Sequence, residues 1–497
     1  MRGILGVLEG EPGGHGDGVT GMGMLRRAAA ADLPQVPPVG TRSYWLDQAL
    51  SADPGKPCPP LTGATDADVC IVGGGFAGLW TAYELTEREP ALNVVVLEAA
   101  VCGAGGSGAN GGFFSSSWVS AGELCRRFGD DAGLRWAIAL GDEVAELRRW
   151  CERHRADIEF HHEGILYGQA GDWQPEPDVA TLALLEGRGL GERLRAVDAA
   201  EARRVADSPR LSGGVFTPDL ATVQPARLAR ELRRVVLERG VRIYEGSRMV
   251  ALGDGMPATV ETAGGAVRAA QVVLTHGAWA AGEPEFARAF AVGIEHMVVT
   301  EPIPELLQEI GWTSHMGLAD RREMLFYLRR TDDDRIAIGG GGMAMVYGSG
   351  IAGRALGSQR LAALAAHGLV WLFPQLAGVR FAHAWSGPMD MTRSGLPFFQ
   401  SSVAGNVHAG LGFSGHGLTS TKVGGKILAG LVLATDDEWV HLPVVGPPGS
   451  LPPEPLRWPM VRLAEWAFES SDKAAELGRK RPGLAGAVVA LMERYAQ

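Results

Sequence analysis

A glycine-rich turn between two short apolar runs constrains the fold of this 497-residue chain more than any other feature. Residues 68–72 (DVCIV) have the pattern of a buried parallel strand, and residues 73–78 (GGGFAG) follow with the spacing GxGxxG. A helix with apolar residues at helical spacing then runs towards Pro90, and residues 94–97 (VVVL) form a second buried strand that ends at Glu98. This order predicts a βαβ unit that opens a nucleotide-binding domain.

The positions of the turn have separate roles in binding a dinucleotide. Gly73 makes the tight turn, Gly75 lets the backbone approach a pyrophosphate, and Gly78 lets the helix pack close to the sheet. Phe76 and Ala77 begin the helix, whose unpaired N–H groups and positive dipole attract phosphate. An ordinary tight βα turn is the alternative interpretation, because GxGxxG by itself is a weak signal.

Glu98 and two further glycine-dense loops indicate an extended cofactor. Glu98 lies twenty residues after the last glycine of the turn, where an acid accepts hydrogen bonds from a ribose 2′-hydroxyl. Residues 101–112 (VCGAGGSGANGG) can wrap a second part of the same cofactor, although a flexible linker has the same composition. Residues 406–417 (NVHAGLGFSGHG) end a strand and open a long apolar helix, which makes a second backbone-donor site. One cofactor held at both ends explains these loops, whereas an NAD-dependent dehydrogenase does not require the second site.

Composition and charge exclude several classes of protein. Glycine accounts for 70 residues, about twice its usual share of about 7%. The apolar fraction of 46% indicates a globular chain, and no run approaches the roughly 18 apolar residues that indicate a membrane span. A net charge of −11 without a basic stripe disfavours nucleic acid as a partner. The five scattered cysteines, without a CxxC pair, favour a reduced, cytoplasmic location and no metal site.

The rest of the chain has a mixed α/β pattern. Residues 1–38 are interpreted as a flexible leader, with a start at Met24 as an alternative. A hairpin is expected over 259–274, and the glycines at 339–342 are expected at a strand end without a firm role. Helices are predicted at 120–155, 198–205, 225–240, 358–373 and 415–433, and two more after the proline-rich segment 446–458.

Seven segments together resemble the FAD-dependent amine and amino-acid oxidoreductases of the D-amino-acid-oxidase superfamily. Within it, the nearest likeness is to γ-glutamylputrescine oxidase-like members and to the longer aminophosphonate oxidoreductases. The resemblance covers about Thr41 to Leu433. The segments are SYWLDQAL (43–50), DVCIVGGGFAGLWTAYEL (68–85), GGSGANGGF (105–113), VVLTHGAWA (272–280), FYLRRTDDDRIAIGGGG (326–342), FPQLAGVRFAHAWSG (373–387) and GFSGHGLTSTKVGGKILAGL (412–431).

The resemblance implies an α/β fold of two domains. A discontinuous Rossmann-like FAD-binding domain would carry an inserted, antiparallel β-rich substrate domain, and helices would extend the C-terminus. The implied FAD-binding segments are 39–150, 217–290 and 380–440, the substrate-domain segments are 151–216 and 291–379, and the connector with the C-terminal helices is 441–497.

The resemblance also implies the cofactor contacts. Met249 would touch adenine through its backbone, and Gly277 belongs to a segment near the cofactor. Four residues would approach the flavin and pyrophosphate: Gly106, Ser107, Asn110 and Gly111. A second set would donate N–H groups to the flavin C2 carbonyl and N1 region: Gly412, Phe413, Gly415, His416, Gly417 and Leu418. Such donors stabilise the negative charge that hydride arrival at N5 leaves there.

The chain also departs from this family. Ala109 stands where relatives often carry Arg or a flavin-linking His, and residues 389–392 (MDMT) lack the Cys that some relatives use for attachment. FAD is therefore predicted to bind without a covalent bond. No Lys occurs between Lys56 and Lys422, whereas sarcosine-oxidase-type relatives place a Lys above the flavin to speed oxygen reduction. A fast oxidase is not expected unless His or Arg substitutes, and the electron acceptor is either oxygen or another compound.

Four residues are candidates for the catalytic region. Arg329 matches a family position that faces the substrate, and its planar fork suits a carboxylate or phosphonate, although a surface Arg has the same signal. Tyr327 is expected to close the cavity or to pack. His416 is expected at the flavin edge, with a structural hydrogen bond as the alternative, and Trp385 near the ring or in the core.

The expected activity is oxidation of the C–N bond of a primary or secondary amine, or of an amino acid, to an imine by hydride transfer to flavin N5. An oxidoreductase of an aminophosphonate or another specialised amino acid is one alternative. A non-catalytic flavin-binding protein is the other. The expected partners are a small amine-like substrate and an electron acceptor, and the chain is expected to act as a monomer or homodimer.

Overall fold

The fold is given by a computed structural model that describes residues 33–170, 179–348, 350–351, 355–476, 479 and 482–496. The first 32 residues of the expected leader, and Met24 with them, lie outside these ranges. The described remainder of that segment is held against the protein. The side-chain amide of Gln359 donates to the carbonyl oxygens of Val36 and Pro37, each at 2.8 Å. Residues 36 and 37, which were expected in a flexible leader, therefore contact the protein.

The described helices match most of the predicted positions. The region 120–155 divides at Gly129 into two helices, because that glycine has φ of +80°. The described α-helices are α1 (Tyr44–Ala52), α2 (Phe76–Arg88), α3 (Ala121–Phe128), α4 (Asp130–His154), α5 (Val179–Gly187), α6 (Ala199–Val205), α7 (Pro225–Glu238), α8 (Pro304–Glu309), α9 (Gln359–Leu372), α10 (Gly417–Leu433), α11 (Arg457–Glu476) and α12 (Gly483–Ala496).

The described strands form two large sheets and one short pair. They are β1 (Gly63–Val72), β2 (Val94–Leu97), β3 (Phe113–Ser115), β4 (Ile165–Gln169), β5 (Arg195–Asp198), β6 (Gly213–Thr217), β7 (Leu220–Thr222), β8 (Arg242–Tyr244), β9 (Met249–Leu252), β10 (Ala258–Thr262), β11 (Gly265–Leu274), β12 (Phe290–Thr300), β13 (Gly317–Asp320), β14 (Phe326–Arg330), β15 (Ile336–Met345), β16 (Phe381–Thr392), β17 (Phe398–Ser401) and β18 (Val407–Leu411).

The first sheet has the order β17-β18-β11-β1-β2-β8, in which the five strands from β18 to β8 are parallel. β1 pairs with β2 from Val69↔Val94 to Val72↔Leu97, and these eight residues are all buried. The helix α2 follows β1 and packs against α10 and α7. The predicted βαβ unit therefore lies at the centre of this sheet, where its glycine turn reaches the carboxyl ends of the strands.

The second sheet has the order β16-β12-β15-β14-β13-β4-β6-β5 and is antiparallel except between β13 and β4. Its longest ladder pairs β12 with β16, from Phe290↔Thr392 to Thr300↔Phe381. Residues 381–392 therefore belong to this sheet, whereas the segment 380–440 was expected in the FAD-binding domain. The long ladder with β12 determines this membership, and no local pattern in the sequence marks it. The two sheets confirm the predicted α/β class.

The glycines at 339–342 lie inside β15 and not at a strand end. A Cβ atom at Gly339 would lie 2.3 Å from the hydroxyl oxygen of Tyr327, and one at Gly341 would lie 2.2 Å from the ring of Phe326. These glycines therefore make room for two aromatic rings of the neighbouring strand β14. Packing, and not contact with a cofactor, explains this cluster.

The two C-terminal helices, α11 and α12, pack against each other. The carboxylate of Asp472 in α11 accepts hydrogen bonds from the N–H groups of Glu323 and Met324, both at 3.0 Å. These residues precede Leu325, which lines the main cavity. Within the described ranges, no helix is both long and apolar enough to cross a membrane.

Candidate active site

A cavity of about 1030 Å³ lies between the two sheets. This volume lies at the upper end of the range of about 300–1,000 Å³ that is usual for ligand pockets, so it suits an extended ligand. One half is lined from the first sheet by the glycine turn, the segment 97–111 and the strand β9. The other half is lined by β4, β12, β14 and β16 of the second sheet. Most of the predicted site residues line this space: Gly73, Gly75, Phe76, Ala77, Glu98, Gly106, Ser107, Asn110, Gly111, Met249, Gly277, Tyr327, Phe413, Gly415, His416, Gly417 and Leu418.

The glycine turn has the close packing that its spacing predicts. Gly73 has φ of +112°, which favours glycine. A Cβ atom at Gly78 would lie 2.0 Å from the carbonyl oxygen of Gly73, so only glycine lets the helix pack this closely. Gly78 does not line the cavity, which agrees with a role in packing. Gly75 is the N-cap of α2 and supplies no side-chain capping bond, so the start of the helix remains suited to an anion, apart from the N–H of Phe76, which donates to Ser107.

The loop 103–112 is fixed against this helix. Ser107 Oγ accepts a hydrogen bond from the N–H of Phe76 at 2.9 Å. The side-chain amide of Asn110 donates to the carbonyl oxygens of Gly106 at 3.0 Å and Ser107 at 2.7 Å, and its oxygen accepts from the N–H of Gly112 at 2.8 Å. A flexible linker does not fit these bonds. Both loops instead line one concave surface that is rich in glycine and backbone donors.

Glu98 lies at the other side of the glycine turn. Its two carboxylate oxygens accept hydrogen bonds from the N–H groups of Gly74 and Ala100, both at 2.8 Å. Burial raises the pKa of this carboxyl group, and the backbone hydrogen bonds partly oppose the rise. Met249 and Gly277 line the same end of the cavity, with the segment 248–252 forming one wall. The adenosine part of a dinucleotide is expected at this end.

Asp390 occupies the base of the second glycine loop, and the sequence analysis missed it. Its carboxylate accepts hydrogen bonds from the N–H groups of Gly412 at 2.6 Å and Phe413 at 3.2 Å. These two N–H groups are thus engaged within the protein and do not point to a flavin as expected, and Gly412 does not line the cavity. Burial raises the pKa of Asp390 to about 6. The one available signal was a lone acid in the apolar segment MDMT (389–392).

The start of α10 supplies the remaining donors at this end. Gly417 is its first residue, so the first N–H groups of the helix lack an intrahelical partner. His416, the N-cap residue, lines the cavity, and its Nδ1 lies 3.1 Å from the carbonyl oxygen of Ser414. The imidazole is exposed, and partial desolvation by the protein around the cavity lowers its pKa, which favours the neutral form. His416 therefore both makes a structural hydrogen bond and lines the cavity.

Tyr327 and Glu295 meet in the half lined by the second sheet. The hydroxyl of Tyr327 lies close enough to the carboxyl group of Glu295 for each group to affect the pKa of the other. Burial raises the pKa of Glu295 to about 7 and, together with the charge of Glu295, also raises the pKa of Tyr327. The ring of Tyr327 packs edge-to-face on Phe113 with a centroid distance of 5.7 Å. Glu295 was not predicted from the sequence, where its only signal is a single acid inside the apolar run 291–299.

Arg329 does not reach the cavity, contrary to the expectation that it faces the substrate. Its Nη1 donates to the carbonyl oxygens of Val223 and, at 3.4 Å, of Gly112. Its guanidinium lies over the ring of Trp45, 5.4 Å from the centroid. The side chain is fully buried, and burial lowers its pKa to about 10. Arg329 therefore holds the end of the glycine loop 103–112 in place.

Trp385 also lies behind the cavity and not in its lining. Its indole N–H donates to the carbonyl oxygen of Ala109 at 2.8 Å. Its ring packs edge-to-face on Trp45 with centroids 5.9 Å apart. Trp385 is therefore a core residue and not a residue that contacts a ligand. Its hydrogen bond to Ala109 stabilises the glycine loop 103–112.

A group of three metal-type ligands lies outside the cavity. The ligand atoms of His161, His315 and Asp332 all lie within 4.8 Å of one another. The two imidazoles stack at 3.7 Å with an interplanar angle of 6°, so their in-plane lone pairs run parallel and do not converge on one point. His161 Nε2 instead lies 2.7 Å from Asp332 Oδ1, an ordinary imidazole–carboxylate hydrogen bond.

Curated relatives resemble the chain over most of its length. It is 29% identical to the gamma-glutamylputrescine oxidoreductase of Escherichia coli (strain K12), over 87% of this chain and 98% of that protein. It is 26% identical to the glycine oxidase of Geobacillus kaustophilus (strain HTA426), over 73% of this chain and 92% of the relative.

Solved structures show the same fold. The crystal structure of glycine oxidase from Geobacillus kaustophilus superposes with a TM-score of 0.61 and 22% identity, covering 75% of this chain and 96% of that one. The L-proline dehydrogenase from P. horikoshii also gives 0.61, with 19% identity, 85% of this chain and all of that one. Residues 68–431 match the family model described as DAO, FAD dependent oxidoreductase. The chain therefore belongs to the DAO family of FAD-dependent oxidoreductases, with FAD as its cofactor.

Proposed function

We propose that this enzyme oxidises the C–N bond of a small amine to an imine. The observation that carries the proposal is one continuous cavity that joins a surface of backbone donors on the first sheet to a partly enclosed half on the second sheet, where Glu295 and Tyr327 lie. The two curated relatives are named for gamma-glutamylputrescine and for glycine, which both carry amino nitrogen. Their names support an amine or amino acid as the general class of substrate.

The residues present fit FAD. Gly73, Gly75, Gly105 and Gly106 line the cavity, and the lack of side chains there allows the close backbone approach that a pyrophosphate needs. When bound, FAD supplies a two-electron acceptor for a hydride from the carbon next to nitrogen. The N-terminus of α2 holds phosphate charge, and the N–H groups of Gly417 and Leu418 stabilise negative charge at the opposite end.

The half lined by the second sheet orients the substrate and limits water. Apolar walls enclose it: Phe113, Ile165, Leu220, Met297 and Ala319. Such walls strengthen electrostatic interactions and hold the reacting C–H bond in one orientation. Tyr327 and Glu295 supply the polar contacts that position the nitrogen.

FAD is proposed to bind without a covalent link. Ala109 lines the cavity at the position where some relatives attach the flavin, and a methyl side chain cannot form that bond. Acid precipitation of purified protein is expected to release the yellow colour into the supernatant. Colour that stays in the protein pellet would contradict this part of the proposal.

Anaerobic mixing with a panel of amines, amino acids and aminophosphonates tests the function. Simple amines are expected to bleach the flavin band of the purified protein. A flavin that stays oxidised with every compound would contradict oxidation and would favour a non-catalytic flavin-binding protein. Readmitted oxygen is expected to restore the band slowly, because the described lining residues include no Lys. Fast recovery would instead indicate an efficient oxidase.

The charge of the lining favours amines over aminophosphonates. Among the described residues that line the cavity, Arg248 is the only Arg or Lys, and it adjoins Met249 at the end assigned to adenosine. A phosphonate in the other half would meet Glu295 and no guanidinium. A phosphonate substrate that bleaches the flavin faster than its phosphonate-free analogue would overturn this preference.

A further inference from the structure

We propose that Glu295 selects a cationic substrate: its carboxylate binds the ammonium group of the incoming amine and takes one proton from that nitrogen. This inference rests on the proposed amine oxidation. It adds a specificity-determining residue and a source of the neutral amine that oxidation requires.

The charge of the substrate half favours a cation. Two carboxylates, Glu295 and Asp390, line it, and the one guanidinium of the described lining, that of Arg248, adjoins Met249 at the cofactor end. Negative charge without a neighbouring cation attracts a positive substrate.

Glu295 is the carboxylate of the substrate half that lacks strong compensation. Asp390, the other acid there, accepts two backbone N–H groups. The polar group beside Glu295 is instead the neutral hydroxyl of Tyr327. A desolvated carboxylate without a counter-charge is costly, and a bound ammonium group compensates that cost.

Other titratable groups around Glu295 do not replace this role. His296, the next residue on β12, is buried and accepts a hydrogen bond from the N–H of Ser358 at 3.2 Å on the opposite side of the strand. Tyr327 faces Glu295 from β14, and burial keeps that hydroxyl protonated. On β16 the cavity is lined by Gly387, Pro388 and Met389 before Asp390, and His416 lines it from the start of α10.

Packing fixes the geometry of the Tyr327–Glu295 pair. A Cβ atom at Gly111 would lie 2.7 Å from the ring of Tyr327, and one at Gly339 would lie 2.3 Å from its hydroxyl oxygen. With Phe113 packed on its edge, the ring has little freedom to move. Tyr327 is therefore a positioning residue that holds the carboxylate of Glu295 towards the cavity.

The proton step balances without an additional reagent. One N–H bond of the ammonium group breaks, its proton joins an oxygen of Glu295, and the electron pair remains on nitrogen as a lone pair. Burial already raises the pKa of Glu295 to about 7, which suits a group that accepts a proton near neutral pH. A neutral amine beside a neutral acid also avoids two buried charges.

Binding of tert-butylamine to the FAD-loaded protein tests the cation site, because its nitrogen-bearing carbon has no hydrogen to lose. The perturbation of the flavin spectrum reports the dissociation constant. Wild-type protein is expected to bind tert-butylamine more tightly above pH 7 than below it. Glu295→Gln is expected to weaken this binding roughly 10- to 100-fold, the range of a charged hydrogen bond, and to leave binding of neutral tert-butanol unchanged. Glu309→Gln, a matched change at an exposed residue that does not line the cavity, is expected to bind like the wild type.

Anaerobic flavin reduction by an oxidisable amine tests the proton step. The wild-type rate is expected to rise through about pH 7, and Glu295→Gln is expected to move the rise towards the higher pKa of the free ammonium group. Unchanged tert-butylamine affinity or an unchanged pH profile in Glu295→Gln would overturn the inference while amine oxidation stands. If binding of tert-butylamine depends on Glu295 but no amine reduces the flavin, the result would support the cation site and contradict the proposed amine oxidation. If Glu295→Gln does not retain FAD, equal binding of tert-butylamine and tert-butanol to wild type would overturn the inference.

Discussion

The two halves of the cavity are built in different ways. The cofactor half includes a surface of backbone groups and small residues from two short, continuous segments, 73–77 and 104–111. The substrate half consists of side chains from strands that lie far apart in the chain, from β4 to β16. A backbone surface requires glycine at fixed spacing, so it leaves a readable pattern. A side-chain surface depends on how strands pair, and it leaves isolated residues in apolar runs.

Gly78→Ala tests the packing of the glycine turn in the cofactor half and is expected to have the largest effect. The added Cβ atom would lie 2.0 Å from the carbonyl oxygen of Gly73, which belongs to the same turn and cannot move aside cheaply. Purified protein is expected to lose nearly all bound FAD, as measured by the ratio of flavin to protein absorbance. Gly187→Ala is the control, because nothing lies within 4 Å of its added Cβ atom. Full flavin content in Gly78→Ala would contradict the packing role of that glycine.

Arg329→Lys separates support of the cofactor loop from contact with substrate. Lys cannot reproduce the bonds to the carbonyl oxygens of Gly112 and Val223, so the free energy of unfolding is expected to fall by about 2–3 kcal/mol. Urea denaturation measures this change, and the preference among differently charged substrates is expected to stay the same. Unchanged stability with a selective loss of carboxylate-bearing substrates would return Arg329 to the substrate half.

The pH dependence of the free energy of unfolding tests whether the pKa of Asp390 is raised in the folded protein. Its folded pKa of about 6 lies above its ordinary value, so the folded state holds the proton more tightly than the unfolded state does. Stability from this group is full below about pH 4 and is lost as pH rises towards about 6, on the order of 2 kcal/mol. Asp390→Asn is expected to remove this contribution, and the difference between the two unfolding curves across pH 4–6 measures it. Parallel curves for the two proteins would contradict the raised pKa.

Gly339→Ala perturbs the substrate half alone and is expected to have the smallest effect. Its Cβ atom would displace the hydroxyl of Tyr327, which positions the carboxylate of Glu295. FAD content is expected to match the wild type, while the rate of anaerobic flavin reduction falls about tenfold, the equivalent of about 1.4 kcal/mol. Tyr327→Phe, which keeps the ring and removes the hydroxyl, is expected to give a similar fall. A loss of FAD in Gly339→Ala would show that the two halves are not independent.

The sequence predicted the cofactor half because its requirements are local. The βαβ unit, the acid at Glu98 and the loop held by Asn110 all follow from residues within about fifty positions of one another. Even there, the predicted set of N–H donors to the flavin, from Gly412 to Leu418, wrongly included Gly412 and Phe413. Asp390 engages two of these N–H groups, and the pairing of β16 that brings it there is not local.

The substrate half could not be predicted residue by residue. Tyr327 and Arg329 are two apart on β14, so strand alternation places both on one face. Tyr327 nevertheless lines the cavity and Arg329 does not. The carbonyl oxygens of Gly112 and Val223 and the ring of Trp45 fill the space around Arg329. Only the tertiary structure contains that difference. The same reason hid Glu295, which is a single acid in an apolar strand until Tyr327 lies beside it.

Anaerobic titration of the FAD-loaded protein with a simple primary amine requires both halves of the cavity to work together. The flavin band is expected to bleach with one amine consumed per flavin, and one equivalent of the aldehyde or ketone formed by imine hydrolysis is expected to appear. A flavin band that stays unbleached at saturating amine, in protein that binds the amine, would contradict amine oxidation by this protein.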